Sequence, residues 1–366
     1  MILRVPDYYD SFRCTADLCT DSCCIGWEID IDPSTYAYYQ SITGELGERL
    51  STQMYDTKDG EHSFRLGKDG RCPFLNNRNL CELCIHLGEE SLSEVCTEYP
   101  RFSIYYENVL QKCLSLSCEE VGRILFEHEE PVQIVSYEMP DVQDVCEQAD
   151  EYEANEYEAN ECEADAGTLY QAQQQVIALL QERKIPLEAR IANALSYSHG
   201  VQQWLNDKEM PKQSQRTNTG SNVLFSSYQD FADRMDVFSQ MEVLGEEWEQ
   251  EKLALQTSLT AENYETLRTQ YQTSDDYRVD WYEQLLVYFV FRYAMNAVWD
   301  YNFYSKMQMA VLFTCMIQDM DILRFAQNHG HFSLADRVDV ARMFSKEVEH
   351  SEENVALAES SCMGEE

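Results

Sequence analysis

Two stretches of the chain, Asp280 to Asp300 and Tyr304 to Gln318, are long, apolar and aromatic with few polar interruptions. Such runs predict helices buried inside a bundle rather than resting on its surface. Around them, Thr168 to Lys184 has helix-forming composition and stops before Pro186, where Pro186 to Leu205 restarts. Glu242 to Gln256 and Asp336 to His350 add two more helical segments. The longest apolar run, Leu285 to Phe291, is broken at Arg292 and falls far short of the ~20 residues a membrane helix needs. Before residue 130 the predicted elements are short. Gly26 to Asp32 alternates somewhat, as a strand does. Asp32-Pro33-Ser34 reads as a helix start, and Ser91 to Tyr99 as a short helix ended by Pro100. The expected fold is therefore mainly α. An irregular module over 1–130 precedes a helical domain over 168–350, and an acidic tail over 351–366, expected to fray after Val355, closes the chain.

Charge changes this picture at one place. No Lys or Arg occurs between Arg123 and Arg183, and Glu-Tyr-Glu-Ala-Asn at 151–155 repeats at 156–160. Residues 141–165 are thus expected to be an acidic low-complexity linker, solvated rather than packed. Over the whole chain, 66 acidic against 27 basic residues give a net charge of −39, which argues against binding nucleic acid or anionic lipid. Such a surface favours cationic, lysine-bearing partners, although solubility alone is a sufficient reason for it. The start, Met1-Ile-Leu-Arg-Val-Pro-Asp-Tyr-Tyr-Asp, has no apolar signal core, so a cytoplasmic location is expected, where thiols stay reduced.

Candidate chemistry is concentrated in sulfur. Ten of the 14 cysteines fall in the first 118 residues: Cys14, Cys19, Cys23, Cys24, Cys72, Cys81, Cys84, Cys96, Cys113 and Cys118. In a reduced compartment such density points to metal before disulfides, and four-thiolate sites hold zinc or an iron–sulfur cluster. Spacing does not choose between the two metals. Cys84, Cys113, Cys146, Cys162, Cys315 and Cys362 read as ordinary thiols, Cys315 as a small core hydrophobe. His329-Gly-His331 reads as an exposed turn. No dinucleotide-binding glycine motif, P-loop or H-E-x-x-H occurs.

The residues around these cysteines carry a further signal. Phe12-Arg13-Cys14 and Cys19-Thr-Asp-Ser-Cys23-Cys24-Ile-Gly-Trp27-Glu-Ile-Asp-Ile-Asp32 resemble the opening of the flagellin lysine-N-methylase family. So do Cys72-Pro-Phe-Leu-Asn, Leu80-Cys81, Leu87-Gly88-Glu89, Cys96-Thr-Glu-Tyr-Pro-Arg101 and Leu114-Ser-Leu-Ser-Cys118-Glu-Glu. The blocks run in order over roughly residues 8–125; the helical half resembles the family only loosely. One departure stands out: Glu119 takes the place of the family's proline after the last cysteine.

The resemblance implies a protein-lysine N-methyltransferase that acts on flagellin, uses S-adenosylmethionine as methyl donor and carries an iron–sulfur cluster, possible ligands being Cys14, Cys19, Cys23, Cys24, Cys72, Cys81, Cys96 and Cys118. A metal-storage or metal-chaperone protein using the same thiols is the alternative, and a scaffold stapled by zinc is a third. Tyr99 and Arg101 are donor-binding candidates: aromatic faces attract a sulfonium, and a guanidinium pairs a carboxylate, with core packing the simpler role for Tyr99 and an internal Asp or Glu the simpler partner for Arg101. Tyr105 and Tyr106 share the aromatic argument, with core packing the simpler role for each. Arg292, inside an apolar helix, is expected to have a structural partner.

Overall fold

The computed structural model describes residues 1–58, 60–139, 166–207 and 227–363. The expected linker 141–165, with Cys146 and Cys162, lies outside the described residues. The chain forms two compact units. One comprises Phe12–Phe102 and Leu114–Val121; the other comprises Met1–Ser11, Ser103–Cys113 and Gly122–Glu366. The sulfur-rich unit is thus narrower than the expected 1–130, because the chain's first strand and part of a later hairpin belong to the helical unit.

The sulfur-rich unit is built from short pieces. Helices α1 (Pro33–Ser41), α2 (Glu45–Gln53), α3 (Glu82–Leu87) and α4 (Glu94–Glu98) accompany a three-stranded sheet of β2 (Asp30–Ile31), β3 (Met54–Asp56) and β4 (His62–Phe64), in order β2-β4-β3. Only the end of the Gly26–Asp32 stretch is strand. Asp32 starts α1 as expected: its side chain accepts from Thr35 N–H at 2.9 Å. It also accepts from Glu94 N–H at 3.0 Å, so one carboxylate caps α1 and anchors α4. Burial pushes this carboxyl up, but the hydrogen bonds from Ser34, Thr35 and Glu94 outweigh it and hold it at about 2. The core is Ile29, Ile31, Tyr39, Leu50, Phe64, Phe74 and Leu83, together with Cys72.

In the helical unit, β1 (Ile2–Pro6), β5 (Arg101–Tyr106), β6 (Val109–Leu114) and β7 (Ile134–Glu138) give a sheet in order β5-β6-β1-β7. β1 runs parallel to β6, Ile2 beside Val109, and antiparallel to β7. After α5 (Glu119–Glu127) come α6 (Ala166–Leu180), α7 (Leu187–Asp207), α8 (Tyr228–Gln240), α9 (Glu246–Ser258), α10 (Tyr264–Gln272), α11 (Val279–Tyr293), α12 (Ala297–Asp300), α13 (Phe303–Gln327), α14 (Leu334–Phe344) and α15 (Glu352–Cys362). The second apolar stretch lies in α13, as predicted, which runs nine residues past Gln318 to Gln327; the first is not one helix, because α11 ends at Tyr293 and a 3-10 turn over Ala294–Asn296 leads into the short α12. Contrary to expectation, the acidic tail is helical over Glu352–Cys362. Ser351 caps α15 by accepting from Asn354 N–H at 3.0 Å, and Asn354 and Ala358 are buried. No described helix is long and apolar enough to cross a membrane.

Helix α13 packs against α7, α9, α10, α11, α14 and α15. It carries three charges into the apolar interior, and a different neighbour meets each. Lys306 donates to Asp300 and, at 2.8 Å, to Glu359 on α15. Asp319 takes Arg234 on α8 at 2.7 Å and the Tyr264 hydroxyl on α10 at 2.7 Å. Asp321 takes Arg337 on α14 and the Tyr282 hydroxyl on α11 at 2.7 Å. Beside this helix, Arg292 pairs with Glu349 at 3.0 Å, and the Tyr288 and Tyr293 hydroxyls donate to the same carboxylate. That is the structural partner its apolar setting requires.

Removing one member of such a pair strands the other charge. Asp319→Asn is expected to lower unfolding stability by about 3–5 kcal/mol, read as a drop in the urea midpoint. Replacing both partners, as Arg234→Met with Asp319→Leu, should recover much of that loss. A neutral single variant would mean that this pair does not hold α8 to α13.

Candidate functional site

Loop pairing builds the sulfur-rich site. Gly26 N–H donates to Gly70 O at 3.0 Å and Cys72 N–H to Cys24 O at 2.8 Å, with Ile25 bridged to Arg71 between them. This zips the loop carrying Cys23 and Cys24 to the segment leading into Cys72. Gly70, at φ 71°, lies so close that a Cβ would stand 3.3 Å from Gly26 N, which accounts for glycine there. A bridge from Leu75 to Cys81 brings the start of α3 alongside, and α4 delivers Cys96.

All eight cysteines of the family pattern fall in this unit. Cys72 belongs to the apolar core, with Cys24, Cys81 and Cys96 packed on it. These four share one electrostatic neighbourhood: Cys72 feels Cys24, Cys96 and Cys81, and Cys96 feels Cys24 and Cys81. A second neighbourhood joins the rest. Cys23 feels Cys14 and Cys118, Cys118 feels Cys14, and Cys19 feels Cys118. Here Cys14 and Cys23 are exposed, while Cys19 and Cys118 are half-buried. The Cys23–Cys24 pair joins the two neighbourhoods.

Burial pushes the thiols up, Cys72 and Cys19 to about 12 and Cys96 and Cys118 to about 11. Cys24 goes the other way, to about 7, first through the hydrogen bond from Cys23 and, in smaller part, through Arg71. That bond in turn raises Cys23. Buried sulfur anions are costly and repel one another, and a thiophilic cation reverses both effects. The donor set therefore fits a soft metal in its chemistry. In its present geometry, no group of three or more His, Cys, Asp or Glu among the described residues is arranged to hold a metal ion.

Glu119 is more than a substituted turn residue. It opens α5, and its carboxylate accepts from both the backbone N–H of Thr20, at 3.0 Å, and the Thr20 hydroxyl. The loop bearing Cys19 is thereby fastened to the residue after Cys118. The only sequence signal was an acid placed directly after a candidate ligand. Arg71, the cation beside Cys24, was likewise not anticipated.

The other candidates scatter. Cys84 lies on α3 with Cys14, Glu89 and Glu90 as charge neighbours. Cys113 is buried on β6 in the helical unit, and Cys315 is buried within α13. Tyr99 packs edge-on to Trp27, and its hydroxyl lies 3.1 Å from Ser117 Oγ. Arg101 donates to Thr97 O at 3.3 Å and sits over the Phe12 ring. Tyr106 is buried, and its hydroxyl accepts from Arg4 at 2.7 Å. His331 is exposed beside Asp276, and His329 turns at φ 55°, as an exposed turn requires. In the helical unit, Leu267, Gln270, Phe325, Ala326, His329 and Gly330 line an open hollow of about 410 Å³ that offers no carboxylate or guanidinium.

No solved structure matches the chain. Among curated proteins, 126 residues are 32% identical to the flagellar biosynthetic protein FliU of Salmonella muenchen, covering 33% of this chain and 75% of that one. The same identity holds to the lysine-N-methylase of Salmonella typhimurium over 126 residues, where the match spans only 31% of the relative, about a third of its length. The model of the FliB lysine N-methylase C-terminal domain matches residues 173–363, within the helical unit. Over half of the chain thus carries the signature of one family, and the protein belongs to the FliB lysine N-methylases.

Proposed function

We propose that the chain is a protein-lysine N-methyltransferase that takes the methyl group of S-adenosylmethionine and places it on lysine side chains of flagellin, acting in the cytoplasm. The family match over residues 173–363 carries this reading. The relatives named lysine-N-methylase support the reaction, and the one named flagellar biosynthetic protein supports a flagellar substrate. The donor follows from chemistry. An amine lone pair forms a bond to carbon only if the methyl is electrophilic, and a sulfonium provides that, leaving as a neutral thioether. The lysine must first lose its proton, so the site has to desolvate the amine or remove that proton. Arg101 is proposed to receive the donor's carboxylate through guanidinium donors not used on Thr97, and the neighbouring Tyr99 to face the sulfonium.

An iron–sulfur cluster is proposed on four of the eight thiols Cys14, Cys19, Cys23, Cys24, Cys72, Cys81, Cys96 and Cys118. When bound, such a cluster supplies electron transfer and a soft Lewis acid. The chain's own contribution is a set of thiols brought close together by the paired loops and by the tether from Thr20 to Glu119.

Purified without oxygen, the protein is expected to be brown and to contain iron and acid-labile sulfide. A colourless protein with stoichiometric zinc would remove the iron assignment and leave the thiol site. Incubated with S-adenosylmethionine and flagellin, the loaded protein should add increments of roughly 14 Da, one methyl replacing one amine hydrogen, mapped to lysines by mass spectrometry. Salt should slow capture more than turnover, because attraction between an acidic surface and a lysine-bearing partner acts on encounter. Unmodified flagellin, with metal bound and reductant supplied, would overturn the enzyme and promote the metal-carrier reading.

A further inference from the structure

We propose that Arg4 anchors a carboxylate-binding slot in the helical unit, and that its ligand is an α-amino carboxylate, the head group that free amino acids share with S-adenosylmethionine. The slot is separate from the thiols and holds whether or not the chain transfers methyl groups.

Strand register places the arginine. Arg4 on β1 lies opposite Gln111 on β6, so the two side chains leave the sheet on one face. Gln111 is buried and donates to Phe291 O on α11 at 2.7 Å, so this face meets the helices. Arg4 is half-buried there, its guanidinium carbon 3.4 Å from the centroid of the Tyr170 ring on α6. One terminal nitrogen donates to the Tyr106 hydroxyl at 2.7 Å. That hydroxyl donates to Gln111 Oε1 at 3.4 Å. Burial pushes the Tyr106 phenol up, so it gives Arg4 a dipole and no negative charge.

What the arginine lacks is an anion. Among the described residues no carboxylate pairs with it, and its Nε is buried without a hydrogen-bond partner. Glu107, just after β5, bears on Tyr106 but makes no ion pair with Arg4. The buried arginines Arg190, Arg234, Arg337 and Arg342 each meet a carboxylate in the same unit. A chain with 66 acidic residues has no shortage of acids to place beside Arg4. A cation removed from water without a counter-charge is costly, and a bound carboxylate relieves that cost. Arginine grips a carboxylate through two parallel N–H donors. With one terminal nitrogen on Tyr106, the edge running from Nε to the other remains for that grip.

Two further orphans define the rest of the ligand. Gln173 on α6 is fully buried; its nitrogen donates to Phe291 O at 3.2 Å, the carbonyl that Gln111 also uses, and its Oε1 has no partner. Gln174 Nε2 is likewise buried and unpartnered. An acceptor oxygen near a carboxylate-binding cation suits an ammonium group. The carboxylate therefore goes to Arg4, the ammonium to Gln173, and the remaining chain runs beside Tyr170.

The test reads the arginine directly in the full-length protein. In 15N-labelled wild type, the Arg4 Nε–H resonance is identified by its loss in Arg4→Lys and followed as L-methionine, S-adenosylmethionine or sodium acetate is added. L-methionine or S-adenosylmethionine should shift it saturably. By calorimetric titration, Arg4→Lys, which keeps the charge and loses the two-donor edge, should bind that ligand about tenfold or more weakly. A shift by S-adenosylmethionine that survives in Arg101→Gln assigns the slot to the donor's head group; a shift by L-methionine alone assigns it to a free amino acid. Should Arg4→Lys misfold, Gln173→Met, weakening L-methionine but not acetate, supplies the second arm. A resonance that no carboxylate moves, an equal response to acetate, or equal binding by Arg4→Lys would overturn the proposal and leave the methyl-transfer reading standing.

Discussion

A charge buried in an apolar bundle must meet its counter-charge at one depth and one angle, and the helical unit is organised by that demand. Lys306, Asp319 and Asp321 all project from α13 into the interior. Their partners come from α8, α14, α15 and the short α12, with tyrosine hydroxyls from α10 and α11 completing two of the sites. Apolar packing alone lets neighbouring helices slide by a turn at modest cost. A slide that separates Asp319 from Arg234 strands two ions where solvation is poor. The pairs therefore act chiefly on register, fixing which turn of each outer helix faces which turn of α13.

Much of this unit was legible as pattern. The density of Leu, Phe, Tyr and Val in α11 and α13 can only be buried, and Pro186 marks the restart into α7. What was not legible required partners remote in sequence. β1 is five residues with no strong alternation, and it is a strand because Val109 and its neighbours lie alongside. Helix α10 is predominantly polar, held by the buried Tyr264 and Tyr271. Helix α8 had a readable start: Ser227 and Asp230 exchange cap hydrogen bonds, but that signal follows a long polar stretch. The family signal was also divided. Short blocks around the cysteines are easily seen as words, whereas the match over 173–363 is spread thinly across helices in which many apolar choices serve one position.

In the sulfur-rich unit the order is reversed: the ligand-type residues were plain and their grouping was not. Cysteine spacing says which thiols are near in sequence, whereas the loops decide which are near in space. Cys23 and Cys24 are adjacent residues, yet Cys24 is packed on the core and Cys23 is exposed. Arg71 has the same lesson: nothing about an arginine before Cys72 says that its charge bears on Cys24, until Ile25 and Arg71 are seen to pair.

The hydrogen bond from Thr20 to Glu119 spans 99 residues, and that separation has a consequence in time. A chain made from its N-terminus has already added Cys24, Cys72, Cys81 and Cys96 before Cys118 is added. The last of those four precedes Cys118 by 22 residues (118 − 96). At 5–20 residues per second the gap lasts about one to four seconds on the ribosome. Through that lag seven of the eight family-pattern thiols are already made, and the loop bearing Cys19 has no Glu119 to fasten Thr20.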